Sequence, residues 1–283
     1  MAKILLQTTI PYAEDNWHIG RFSLLCEHLA REHEIVARDR ENGSDGLDPI
    51  LSTIEKSDFD QLWLFAVDAG DGIGAEECRA ISAFRERGGG LMVTRDHMDL
   101  GCSVCNLGGV GAAHHFHSKN VDPAIAKDGR DDRDTAAIDW PNFHSGSNGD
   151  VQTVEIVEPV HPLLRRTDGE PLKYFPAHPH EGAVSAPPGD PTARVIAKGT
   201  STVTGRKFNL SVAFDSRGNE GNALAESTFH HFADYNWDTR MGCPSFVCEP
   251  PSDRIAREPA LLDDIKTFCS NVASWLPARV AAR

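Results

Sequence analysis

Residues 61–97 read QLWLFAVDAGDGIGAEECRAISAFRERGGGLMVTRDH, and this stretch decides the fold. Leu62 to Val67 is an unbroken apolar run of strand length, closed by the turn-forming residues DAGDGIG. From Glu76 to Arg87, Cys78, Ile81 and Phe84 recur on one helical face, and Gly88-Gly89-Gly90 stops the helix. Leu91 to Thr94 is then a further buried strand. Strand, amphipathic helix, strand implies a right-handed crossover between parallel strands covered on both faces.

On the N-terminal side the same alternation continues. Lys3 to Thr8 is a first strand feeding the loop TTIPYAEDNWHIG, Phe22, Leu25, Cys26, Leu29 and Ala30 follow at helical spacing, and Glu34 to Arg38 is a second strand. On the C-terminal side the pattern dissolves from about 98 to 150, a polar insertion with glycines, a histidine cluster and the acidic run KDGRDDRD. Order resumes with VQTVEIV (Val151 to Val157). Arg194 to Lys198, Asn209 to Phe214 and Ala223 to Phe229 are further strands, and an amphipathic helix closes the pattern from about Pro259 to Leu276. The Pro- and Gly-rich stretch Pro179 to Pro191 reads as a loop. The expectation is one α/β domain over residues 1–283, with three layers, a mostly parallel central sheet and one long polar insertion.

Composition excludes several classes. A formal charge of −14 with no Lys/Arg run leaves no basic face for nucleic acid. No run of about 20 apolar residues and no signal-like N-terminus is present, so neither a membrane partner nor export is expected, and a cytoplasmic location follows. Seven cysteines, several inside apolar segments such as Cys26, Cys78 and Cys269, suit reduced core thiols better than a disulfide framework. GxGxxG after the first strand, GxxxxGK[ST] and GxSxG are absent, which removes the nucleotide-cofactor and serine-hydrolase readings.

In an open parallel sheet ligands bind outside the carboxyl ends of the strands, near the switch point in strand order. Those ends carry Trp17 and His18 after the first strand, and Asp68 and Asp71 after the third. Arg95, Asp96, His97 and Asp99 follow the fourth, then His114-His115-Phe116-His117, and His230-His231 follows the last. Asp96 or His97 is expected to act as general acid or base, since imidazole titrates near neutrality and burial can raise an aspartate toward it. His18, Trp17, Asp68, Arg95, His114 and His230 are expected to bind a small-molecule substrate, and His115, His117 and His231 a divalent metal such as zinc. Trp17, Trp140 and Trp237 offer faces on which a sugar could stack, although tryptophans also serve as packing. Two other readings stay open: a thiol hydrolase using Cys102 or Cys105, and a non-catalytic binding or assembly module. Cys102/Cys105 with Cys243/Cys248 could also form a four-thiolate zinc site, but the surrounding residues favour free thiols. A homo-oligomer is left open.

Several segments, in this order, resemble the ThuA-like (trehalose utilisation) proteins of the class I glutamine amidotransferase-like fold. They are the first strand with its loop to His18, AFRERGGGLMV (83–93), NLGGVGAAHHFH (106–117), VEIVEPVHPLLRR around His161-Pro162, and STFHHFADYNWD near the end. The resemblance implies a flavodoxin-like sheet, a carbohydrate-related setting and a site in which polar residues replace the amidotransferase cysteine. Where that family has Gly-Ile-His after the fourth strand, this chain has Arg95-Asp96-His97.

Overall fold

The computed structural model describes residues 1–118, 143–216 and 218–277. Trp140 and most of the acidic stretch from Asp128 to Asp150 lie outside them. The strands are β1 (Lys3–Thr8), β2 (Glu34–Arg38), β3 (Gln61–Phe65), β4 (Gly90–Thr94), β5 (His114–His115), β6 (Val151–Thr153), β7 (Glu155–Ile156), β8 (Tyr174–Pro176), β9 (Ala183–Val184), β10 (Ala193–Thr200), β11 (Lys207–Phe214) and β12 (Ala223–Glu226). The helices are α1 (Ser23–Leu29), α2 (Ala75–Glu86), α3 (Asp234–Trp237), α4 (Arg254–Arg257) and α5 (Asp263–Trp275).

Eight strands form one sheet in the order β2-β1-β3-β4-β12-β11-β10-β7. The first five are parallel, and counted along the chain their order is 2-1-3-4-5, that of flavodoxin-like sheets. β11, β10 and β7 extend the sheet as antiparallel strands. Two short antiparallel pairs, β5 with β9 and β6 with β8, lie outside it.

Burial on both faces follows from the period of two along each strand. Ile4, Leu6, Trp63, Phe65, Met92 and Leu224 pack on one side with Phe22, Leu25 and Leu29 of the α1 region and Phe268 and Val272 of α5. Leu5, Leu62, Leu64, Leu91, Val93 and Ala225 pack on the other with Ile81 and Phe84 of α2. The result is the expected three-layer α/β arrangement. Helix α2 ends where the triple glycine begins: Gly88 takes φ +108°, which a Cβ would resist, and Gly89 N–H closes the last turn on Phe84 O at 2.9 Å.

Four expectations are corrected. VQTVEIV is not one strand: at Val154 the chain turns its N–H to Lys173 O (2.9 Å), leaving β6 to pair with β8 and β7 with β10. The last strand stops at Glu226, three residues short of Phe229. The closing helix is a 3₁₀ turn, Pro259–Leu262, followed by α5, with proline at the first position, where a helix needs no N–H. The cysteines are not all thiols: Cys78 on α2 is disulfide-bonded to Cys105, with Cα atoms 6.2 Å apart, while Cys26, Cys102, Cys243, Cys248 and Cys269 lie outside any disulfide. Among the described residues no helix is long and apolar enough to cross a membrane.

Candidate functional site

Parallel pairing of β4 with β12, with Thr94 opposite Glu226, makes the residues after both strands neighbours. Phe229 N–H donates to Arg95 O (2.9 Å), and Thr228 Oγ1–H donates to Asp96 Oδ1 (2.8 Å). Asp96-His97 and His230-His231 thus leave the sheet side by side. A third segment closes on them from β8, carrying His178, His180 and Glu181. Gly182 permits this approach: a Cβ there would meet Ser227 O at 2.3 Å and Asp96 O at 2.8 Å.

Asp96, 1% exposed, is the centre. Its Oδ2 accepts from His97 Nδ1 at 2.7 Å and stands 3.7 Å from His230 Nε2 and 3.8 Å from His178 Nε2. Burial opposes its ionisation, but His97 outweighs that and holds the carboxyl well below its ordinary range. This corrects the expectation that burial would raise Asp96 toward neutrality. Burial pushes His178 down to about 4, and burial with the adjacent His178 holds His230 well below the usual imidazole value. Both rings are therefore neutral near pH 7.

Hydrogen bonds fix which nitrogen carries each proton. The Ala177 carbonyl can only accept, so the Asn236 atom 2.9 Å from it is the amide Nδ2, which also donates to Asn148 Oδ1 at 2.9 Å. Asn236 Oδ1 then faces His230 Nδ1 (3.0 Å), and Asn148 Oδ1 faces His178 Nδ1 (2.9 Å), so both Nδ1 atoms are donors. Their Nε2 atoms turn bare lone pairs toward Asp96. The two rings stack with centroids 3.5 Å apart, inclined by 12°, and Trp17 meets the His230 ring edge-on at 4.6 Å. His180 Nε2–H donates to Glu249 Oε1 at 2.7 Å, while its Nδ1 is buried and without a hydrogen-bond partner. That bond, above all, draws the Glu249 carboxyl down to about 2. The His97 and His180 rings lie 4.8 Å apart, and the His97 side chain keeps 17% exposure, so the cluster reaches solvent through it.

Beneath this cluster is a second, fully buried one. His231 lies between Glu226 Oε2 (3.2 Å from Nδ1) and Glu181 Oε1 (3.4 Å from Nε2). Burial disfavours its charge, but the two carboxylates overcome this and raise it to about 9, making it an imidazolium. Glu181 also accepts from Ser145 Oγ, Gln152 Nε2 and Ser227 Oγ at 2.6–2.9 Å. This network fastens the His178–Glu181 segment to β12.

The structure brings Asp96, His97 and His230 together and adds His178, His180 and Glu249, which the sequence reading missed. The pattern His178-Pro179-His180-Glu181 was the available signal, straddling the start of the stretch Pro179 to Pro191 that reads as a loop. Other expected residues are placed elsewhere or in packing roles. Asp68 accepts from Thr9 Oγ1, Gly70 N and Ser103 N and Oγ at the β1/β3 switch point. Arg95 is fully buried, stacks on Phe116 at 4.1 Å and donates to Leu100 O and Met98 O, so it clamps its own loop. His18 caps a 3₁₀ turn and accepts from Gly20 N. Trp17 and Trp237 are 4% and 2% exposed, leaving no face for a sugar.

His114 lines a separate cavity of about 340 Å³ with Cys102, Val104 and Phe116. The metal set His115, His117 and His231 is not assembled: His115 Nε2 is 2.6 Å from Ser185 Oγ, and His231 is enclosed by glutamates. Among the described residues, the group whose possible ligand atoms lie within 4.8 Å of one another is Asp96, His97 and His178. Cys105, as half of a disulfide, offers no thiol for the hydrolase reading and none for a four-thiolate zinc site.

Fold and site together define an α/β protein with a flavodoxin-like strand order and a histidine–carboxylate centre at the carboxyl ends of two adjacent parallel strands. No family model matches the chain, and no curated protein matches it. Among solved structures it is similar to a ThuA-like protein from Parabacteroides merdae, at 15% identity and a TM-score of 0.49 over 89% of this chain and 95% of that one. It is also similar to the glutaminase domain of Trypanosoma brucei CTPS with bound acivicin, at 13% identity and a TM-score of 0.47 over 97% and 93% of the two chains.

Proposed function

We propose that this protein is an enzyme that performs acid–base chemistry on a small polar metabolite, with His97 as the proton-transfer group. The observation that carries this reading is the 2.7 Å contact between Asp96 Oδ2 and His97 Nδ1 at the mouth of a buried histidine cluster. A buried carboxylate that accepts from Nδ1–H leaves Nε2 as the basic atom, holds the ring in place and stabilises the imidazolium once a proton is taken. The unpartnered Nδ1 of His180, on a ring held by Glu249, is a second ring nitrogen close by. Acceptors around an anionic centre favour substrates rich in hydroxyl donors and disfavour phosphates and carboxylates. A sugar derivative is therefore the class to screen first, with hydrolysis and elimination as the reactions.

The test is a panel of neutral sugar lactones, glycosides and keto-sugars, followed by His97→Gln and Asp96→Asn on any substrate that turns over. Both variants are expected to keep their thermal melting profile and to lose about 10²–10⁴-fold in kcat. Folded variants with undiminished turnover would remove the pair from the mechanism.

A further inference from the structure

We infer that Asp96 Oδ2, His178 Nε2 and His230 Nε2 form a binding site for a first-row divalent metal ion of the zinc or ferrous class. This goes beyond the acid–base reading and does not depend on it.

Three distances separate ligands from their supports. The two Nε2 atoms stand 3.7 and 3.8 Å from Asp96 Oδ2. That is longer than the roughly 2.7–3.2 Å of an N–H···O hydrogen bond. It is close to the edge of about 3.4 Å expected for a tetrahedron with metal–nitrogen bonds of about 2.0–2.1 Å. His97 Nδ1 sits at hydrogen-bond length, 2.7 Å, from the same oxygen. Although it lies within 4.8 Å of the donor atoms of Asp96 and His178, the short bond makes it a partner of the ligating carboxylate and not a ligand.

The proton assignments supply the chemistry. Ala177 O, through Asn236 and Asn148, makes both Nδ1 atoms donors, so it is the Nε2 atom of each ring that is left to face the carboxylate oxygen. His178, 3% exposed, has an Nε2 with no hydrogen-bond partner. Leaving a buried acceptor unsatisfied costs about 1–3 kcal/mol, and mutual repulsion adds to it. A cation converts the same arrangement into attraction. Outer partners are already in place: each imidazole gives its other N–H to an asparagine oxygen, and Asp96 accepts from Thr228 and His97. Oriented imidazoles with hydrogen-bonded carboxylates are what metal ligands require of their surroundings. Two histidines and one carboxylate leave open positions for water or substrate, which suits zinc or ferrous iron. Rings stacked at 12° cannot both aim in-plane lone pairs at one ion, so loading must splay His178 from His230.

The experiment uses the full chain, purified without a histidine tag, stripped with chelator and titrated with Zn(II) and Co(II) by calorimetry and visible absorption. One equivalent should bind, with Co(II) showing d–d absorption. His178→Ala and His230→Ala should weaken binding about 100-fold or more, and Asn236→Ala about 10–100-fold, while His115→Ala leaves it unchanged. Circular dichroism keeps folding loss apart from ligand loss, and Asn236→Ala serves if an imidazole deletion does not fold. A crystal of the loaded protein should show the two rings splayed. No stoichiometric binding, or equal binding by folded His178, His230 and Asn236 variants, overturns the site. Absent binding with His97-dependent turnover would overturn the metal site alone, whereas binding without any such turnover would overturn only the acid–base reading.

Discussion

At the scale of single residues, neighbourhood decides role more than residue type does. Asp68, Arg95 and Asp96 are all polar residues at strand ends, and the sequence offers each as a site residue, Asp96 for acid–base chemistry and the other two for binding. Asp68 spends its oxygens on Thr9, Gly70 and Ser103, and Arg95 turns its Nε and Nη2 groups onto its own loop. Asp96 instead faces bare imidazole nitrogens. Gly182 shows the same dependence. Its Cβ position is occupied by the carbonyls of Ser227 and Asp96. Gly182→Ala should therefore push the histidine-bearing segment off the β4/β12 ends and cost about 1–3 kcal/mol. Urea denaturation measures that cost, and an unchanged midpoint would mean that the close approach is not needed.

At the scale of elements, periodicity located β1 to β4, α1 and α2 within a residue or two, because a buried face repeats at 2.0 or 3.6 residues wherever it packs. It did not locate the break at Val154 or the end of β12, where the partner strand and not the side-chain pattern sets the boundary. The start of α5 shows an interaction invisible to periodicity. Asp264 in its first turn accepts from Arg166 Nε (2.7 Å) and from the amides of Lys173 and Tyr174 (2.8 and 3.0 Å), tying the helix to β8 and the segment before it. Burial raises this carboxyl, but Arg166 and the two amides prevail and lower it. A lowered folded-state value means that the contribution is present above the unfolded carboxyl range, near pH 4, and is lost as pH falls through the folded value. Asp264→Asn should cost about 1–3 kcal/mol at pH 7. The gap to wild type should then close below about pH 4 in denaturant titrations at stepped pH. A gap independent of pH would overturn the assignment.

At the scale of the whole molecule, the unfolded chain matters as much as the folded one. The Cys78–Cys105 crosslink spans a separation of 27 residues, and closing such a loop removes about 3–4 kcal/mol of unfolded-state entropy. Thiol titration in denaturant without reductant should find five of the seven cysteines, and Cys78→Ala should lower stability by a comparable amount. Seven reactive thiols in fresh protein would show that the bridge does not form. The sequence by itself determined the layered α/β arrangement, since alternating strand and helix patterns leave a covered parallel sheet as the only way to bury both. It also marked Asp96, His97 and His230 as strand-end candidates. Only the tertiary structure brought His178 and His180 to them and set the tautomers through Ala177, Asn236 and Asn148. Most of those contacts join residues thirty or more positions apart, and hydrogen-bond direction between such partners leaves no periodic trace along a chain.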